Sequence, residues 1–157
     1  MRLGFLGSGT GHINSQEQSL IPGFTFGAGM DFRIRPHWYW GVGFDVHRVY
    51  PFEIGQHMLD VSLGVKYMQI GKQSKVAFRP SLFFGYGRLA VVRTIDTTYL
   101  NPADFITFKG SLEVIFFSDM AAAFFAEVGV FEAFEGWDGR NRIRFGPTAL
   151  LRAGVML

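Results

Sequence analysis

The stretch that decides the fold is Gly23 to Arg35, read as Gly-Phe-Thr-Phe-Gly-Ala-Gly-Met-Asp-Phe-Arg-Ile-Arg. Phe24, Phe26, Ala28, Met30, Phe32 and Ile34 take every second position, and Gly23, Thr25, Gly27, Gly29, Asp31, Arg33 and Arg35 take the others. A period of two is the side-chain period of an extended strand, whereas a helix would mix the two sets on every side. The segment is therefore a strand with one apolar and one polar face.

The same pattern recurs along the chain. Trp38, Trp40, Val42, Phe44 and Val46 alternate with Tyr39, Gly41, Gly43, Asp45 and His47; Leu59, Val61, Leu63, Val65 and Tyr67 alternate with Asp60, Ser62, Gly64 and Lys66. Phe78, Pro80, Leu82, Phe84 and Tyr86 oppose Arg79, Ser81, Phe83, Gly85 and Gly87, and Ile106 to Phe116 opposes Thr107, Lys109, Ser111 and Glu113. Met120 to Val130 alternates with Phe125, Glu127 and Gly129. At the C-terminal end Phe145, Pro147, Ala149, Leu151, Ala153, Val155 and Leu157 alternate with Arg144, Gly146, Thr148, Arg152 and Gly154. A weaker first segment, Arg2 to Thr10, completes eight strands. Pro80 and Pro147 interrupt this grammar, because each removes a ladder donor; bulges or locally broken pairing are expected there.

Connections alternate in length. Short turns are expected at Arg35-Pro36-His37, Gly71 to Lys75 and Ser118-Asp119, and longer links at Gly11 to Ser19, Arg48 to Gln56, Thr94 to Asp104 and Glu135 to Arg142. Tight turns at one end and long loops at the other are the pattern of an up-and-down membrane barrel. The expected fold is thus all-β: one closed antiparallel barrel of eight strands over residues 1–157, spanning a bacterial outer membrane with both termini periplasmic.

Composition bounds the function. The 157 residues include 18 Phe and 20 Gly but no Cys, which removes disulfides, thiolate catalysis and Cys-ligated zinc. A net charge of +2 without a Lys/Arg run gives no reason to expect nucleic acid as a partner. No stretch approaches the roughly 18 to 20 apolar residues of a membrane helix. Met1-Arg2-Leu3 leads straight into alternation without a signal peptide, so an exported form reads as a mature chain with an added starting Met.

Volume separates a membrane barrel from a soluble one of lipocalin type, in which the apolar face would look inward. Eight strands enclose little more than their own side chains, and several Phe, Leu, Met or Trp from every strand would overfill that space. The Gly, Ser, Thr and ionic face fits it. The inward phase carries Asp31, Arg33, Asp45, Asp60, Lys66, Arg79, Lys109, Glu113, Glu127, Arg144 and Arg152, read as a salt-bridge network plugging a non-conducting lumen; rings of such charges lining a narrow pore are the alternative. Arg48, Arg88 and Glu132 keep the outward phase about a dozen residues along outward-running strands, so they should stand above the roughly 9 to 11 residues that cross the hydrocarbon. Arg48 and Arg88 there are candidates to contact lipopolysaccharide phosphates. Trp38, Trp40 and Tyr67 beside the short turns are read as an aromatic belt.

In these features the chain resembles the small OmpA/OmpX-like outer-membrane barrels, over essentially all of its length. The resemblance implies a structural, adhesin-like or envelope-complex component whose partners are the bilayer and a surface ligand or envelope protein; some eight-stranded relatives modify lipid A. Such barrels usually end in an aromatic residue, whereas this chain ends Val155-Met156-Leu157. Loop residues Tyr50, Phe52, Ile54, Tyr99, Leu100 and Trp137 are candidate partner contacts. A lipid A hydrolase would need grouped Ser, His and acid. His47 lies two residues from Asp45, but no Ser is brought beside it by sequence, and His12, His37 and His57 lack paired metal-ligand spacing. Gly7-Ser8-Gly9-Thr10-Gly11 has no following Lys-Ser/Thr and no helix, so it is a strand end. No catalytic residue, metal or cofactor is expected.

Overall fold

The computed structural model describes residues 1–7, 9–13, 16–20, 23–49, 56–70, 75–90, 102–117, 122–137 and 142–157. They form β-strands and short connections only: β1 Arg2–Leu6, β2 Gly9–Ile13, β3 Gln16–Leu20, β4 Gly23–Arg35, β5 Trp38–Val49, β6 Gln56–Tyr67, β7 Gln69–Ile70, β8 Val76–Ala90, β9 Ala103–Phe117, β10 Ala123–Trp137 and β11 Arg142–Met156. All pairings are antiparallel, in the order β1-β4-β5-β6-β8-β9-β10-β11, and β11 pairs back onto β1. The result is a closed ring of eight strands, each bonded to its sequence neighbour in the ring. The end carrying the Pro36-His37 turn, the start of β1 and the end of β11 is called the turn side below, and the opposite end the far side.

The expected eight strands become eleven for local reasons. The first predicted strand divides at Gly7 into β1 and β2, and the predicted link Gly11 to Ser19 is instead a β2–β3 hairpin, with His12 opposite Glu17. β2 also continues the β11 ladder, with Ile13 opposite Ile143. The predicted link Glu135 to Arg142 is shorter than expected, since Trp137 and Arg142 pair. The β6–β8 ladder runs to Lys66↔Ser81, stops at Met68 and resumes at Gln69↔Phe78. That register sets Pro80, which has no N–H to give, at the interruption.

Pro147 has a larger effect. Gly146 adopts φ +98°, a left-handed conformation open to glycine, and the β10–β11 register slips between Phe131↔Thr148 and Ala133↔Phe145. A one-residue slip exchanges the faces of a strand. Leu151, Ala149 and Pro147 therefore look outward as expected, but Phe145, expected outside, is buried, and Arg144, expected inside, is exposed.

A second slip lies at the end of β4, where the register shifts between Arg33↔Tyr39 and Arg35↔Trp38 and brings Arg35, expected on the polar face, opposite the outward Trp38; over the middle of the strands the alternation holds. Large apolar side chains of β4, β5, β6, β8, β9 and β10 line the outside, among them Phe26, Met30, Trp40, Leu63, Phe84 and Phe124. The interior is not uniformly polar. Leu6, Met58, Leu89, Phe105, Phe131, Ile143, Phe145 and Leu150 form an apolar plug at the far side, and Ala77, Ile115, Ala123 and Phe125 a smaller one at the turn side.

Candidate functional site

Between the two apolar plugs lies a layer of buried charge, held by strands whose inward glycines make room for it. A methyl group on Gly27 would sit 2.1 Å from Asp45 Oδ1, and one on Gly43 2.7 Å from Arg2 Nη2. Small residues on β4 and β5 thus leave the ring's narrow centre to the long side chains of β1, β9 and β11.

Asp45 is the hub. Arg2 donates to it through Nε and Nη2 at 2.7 and 2.9 Å, Lys109 Nζ lies 2.6 Å from Oδ2, and Arg152 Nη1 lies 2.9 Å from Oδ1. Arg152 also donates to Glu127 through Nε at 2.9 Å and Nη2 at 2.6 Å, and Glu127 accepts from Ser111 Oγ at 2.6 Å. Asp60 accepts from Thr107 and lies 3.7 Å from Lys109. Three cations, Arg2, Lys109 and Arg152, face three carboxylates, Asp45, Asp60 and Glu127.

A second cluster sits nearer the turn side. Lys66 reaches Asp31 at 3.1 Å and Glu113 at 3.0 Å, and Arg79 reaches Asp31 at 2.7 Å and Glu113 at 2.5 Å. Two cations again face two carboxylates. The Phe83 ring divides the clusters, with Lys66 Nζ 5.4 Å and Lys109 Nζ 5.2 Å from its centroid. Charges of this kind are tolerated in a packed interior only when paired and hydrogen-bonded, as they are here.

Nine of the eleven charges expected inside join these clusters: Asp31, Asp45, Asp60, Lys66, Arg79, Lys109, Glu113, Glu127 and Arg152. Arg33 and Arg144 do not. Arg33 is exposed near the turn, where its Nη2 donates to Pro36 O at 3.5 Å. Arg144 is turned outward by the Gly146-Pro147 bulge and pairs with Glu132. Arg2 joins the clusters as a tenth: in the weak first segment it opposes Leu3 and Phe5 and shares the phase of Gly4, but it is not among the charges expected inside.

Asp45, His47 and Asp60 offer donor atoms within 4.8 Å of one another. They do not suit a divalent metal, because both oxygens of Asp45 are already taken by three cations that would repel it. His47 stacks on Phe131 at 4.5 Å between ring centroids, and neither of its ring nitrogens has a hydrogen-bond partner among the described residues. No Ser–His–acid relay is assembled around it among them.

On the outside, Trp38 and Tyr67 meet edge-on at 5.0 Å beside the Pro36-His37 turn, with Trp40 exposed on the same face two residues further along β5. Toward the far side the outward positions become charged or polar at one level: Arg48 opposite His57, Arg88 3.8 Å from Asp104, and Glu132 paired with Arg144. Tyr86 donates to Asp104 at 2.5 Å just below them. Tyr50, Phe52, Ile54, Tyr99 and Leu100 lie outside the described residues, as does the side chain of Trp137, whose backbone closes the β10 ladders opposite Arg142 and Asp104. Compared with known protein families, characterised proteins and solved structures, the chain matches none of them.

Proposed function

We propose that this protein is an integral outer-membrane β-barrel of the small eight-stranded kind, OmpA/OmpX-like in architecture, with its turn side and both termini in the periplasm. The observation that carries the reading is the outer surface of the ring. From Trp38 to Val46 on β5, Leu59 to Tyr67 on β6, Phe78 to Tyr86 on β8, Ile106 to Phe116 on β9 and Phe124 to Val130 on β10, no outward residue is charged. Each run ends at the far side on Arg48, His57, Arg88, Asp104 or Glu132. Ten steps of about 3.3 Å separate Trp38 from Arg48, and at a strand tilt of about 40° that is a height of about 25 Å, the apolar band of a membrane barrel. A water-soluble monomer rarely exposes contiguous apolar surface beyond a few hundred Å², and this belt continues around the ring while ten paired charges occupy the centre.

Packing of both apolar plugs and the ionic layer across the lumen supports a non-conducting barrel. Its contribution is then structural or through far-side loops that engage a surface ligand or another envelope protein, with Tyr50, Phe52, Tyr99 and Trp137 as contacts. Arg48 and Arg88, at the edge of the belt, are suited to phosphate groups of lipopolysaccharide. The test is refolding into detergent and into phospholipid vesicles. Unboiled protein is expected to migrate differently from boiled protein on a gel and to float with the vesicles. A chain that stays monodisperse in plain buffer without amphiphile would end this reading.

A further inference from the structure

Where the ionic layer meets the far-side plug, three buried side chains have polar atoms with no hydrogen-bond partner among the described residues: Thr25 Oγ1, both ring nitrogens of His47, and Asp60 Oδ2. They gather on neighbouring strands. Thr25 on β4 faces His47 on β5, which puts their Cβ atoms about 4.5–5.5 Å apart, and Asp60 on β6 pairs with Asp45, two residues from His47. A ring nitrogen of His47 and a carboxylate oxygen of Asp60 lie within 4.8 Å of each other, with no hydrogen bond between them. Two hydrogen bonds of about 2.8 Å that meet at one water oxygen span about 4.6 Å. Thr107 donates to the other oxygen of Asp60, and Lys109 Nζ stays 3.7 Å from Oδ2, so neither supplies the partner. On its other side His47 stacks on Phe131, a member of the far-side plug. Buried donors and acceptors left unpaired lose their full hydration, and native interiors satisfy them with protein or with ordered water.

We propose that these atoms form an internal water site, in which ordered water bridges His47 to Asp60 Oδ2 and to Thr25 Oγ1 beneath Phe131. The class of ligand follows from the neighbours. A cation would be repelled by Arg2, Lys109 and Arg152, which already contact Asp45. An anion would meet the carboxylates of Asp45 and Asp60, both within 4.8 Å of the imidazole. What fits is a small neutral molecule that both donates and accepts, because the site offers a carboxylate acceptor, a hydroxyl and an imidazole. A buried water needs about two to four polar partners, and each bridge supplies at least two. The centre of the plugged lumen is then wet at one level, and its water leaves only when Phe131 and the plug above it part. Nothing in this depends on the membrane reading, since all three side chains face the interior.

NMR on the folded protein, in whichever medium keeps it monodisperse, tests the site. Cross-relaxation from water to the carbon-bound ring protons of His47 and to the Thr25 methyl group is expected, with the sign given by water that tumbles with the protein. The methyl groups of Ile115, buried in the turn-side plug, should show none. Thr25→Val keeps the side-chain shape and removes the hydroxyl. With water bound, it strands one bridge and should raise the unfolding constant in urea about three-fold or more, whereas in a dry site it removes an unpaired hydroxyl and would lower that constant. The His47 cross-peaks should persist in Thr25→Val through the Asp60 bridge, which excludes relay from the threonine hydroxyl. Cross-peaks missing from His47, equal cross-peaks at Ile115, or a Thr25→Val protein as stable as the parent or more so would overturn the water site.

Discussion

Arg2 and Asp45, 43 residues apart, meet in the centre of the ring through two parallel hydrogen bonds, Nε to Oδ1 at 2.7 Å and Nη2 to Oδ2 at 2.9 Å. The pair ties β1, the short strand that closes the ring, to β5 across the lumen. Because Lys109 and Arg152 lean on the same carboxylate, Asp45 contacts three cations, more than any other interior carboxylate among the described residues.

Asp45→Asn should therefore be the most damaging conservative change in the ionic layer. It leaves Arg2, Lys109 and Arg152 facing two carboxylates, and removal of one partner from a buried pair costs about 3–5 kcal/mol. Urea unfolding of the refolded protein in micelles measures it. Asp45→Asn within about 1 kcal/mol of the parent would show that water reaches the cluster and that the network does not hold the ring together. Adding Lys109→Met to Asp45→Asn removes one of the stranded cations and should recover part of the loss.

Phe83 supplies a second test, because its ring fills the space left by two glycines. A methyl group on Gly41 would come within 2.6 Å of Phe83 Cζ and 3.1 Å of Asp31 Oδ1, so the obstruction there is made by side chains. Gly41→Ala should cost about 1–3 kcal/mol, the usual range for overpacking. Combining it with Phe83→Leu should cost less than the sum of the single changes, since the shorter side chain vacates the contested volume. Simple additivity in this double-mutant cycle would mean that Phe83 does not rest on Gly41.

The strands and their two faces were legible in the sequence because alternation is a local property, written into Gly23–Arg35 or Leu59–Tyr67 without reference to the rest of the chain. Breaks in phase were not. Pro147 announced an irregularity, but which side of it would keep the outward phase depends on Gly146 at φ +98° and on the slip opposite Phe131. Phe145 and Arg144 are therefore reversed in the structure, and the far-side apolar plug that Phe145 builds with Ile143 was not foreseen. The ion pairs were legible only as a set: phase placed eleven charges inside, nine of which join the clusters, while the identity of each partner depends on register across the ring, as for Lys109 and Asp45, 64 residues apart. Phe145→Ala checks the phase break. Buried against Phe105 at 5.3 Å between ring centroids, Phe145 should cost about 3–5 kcal/mol on truncation. The outward Phe84→Ala, which opens no interior cavity, should cost clearly less, and equal losses would return Phe145 to the outer face.

Leu63 separates membrane from water most directly. It is 59% exposed on the outer face of β6, midway along the uncharged run from Leu59 to Tyr67 and far from Arg48 and Arg88. On a protein surface in water, Leu63→Arg would change stability by no more than about 0.5 kcal/mol, because the side chain meets only solvent. At the middle of a bilayer the same change should cost about 2–4 kcal/mol, and the penalty should fall toward zero for Arg placed at Leu59, close to the charged rim. Unfolding from vesicles, measured for Arg at Leu59, Val61 and Leu63 in turn, should give a graded series that deepens toward Leu63. A flat series would mean that no hydrocarbon surrounds this face, and the outward apolar belt would then have to be covered by protein.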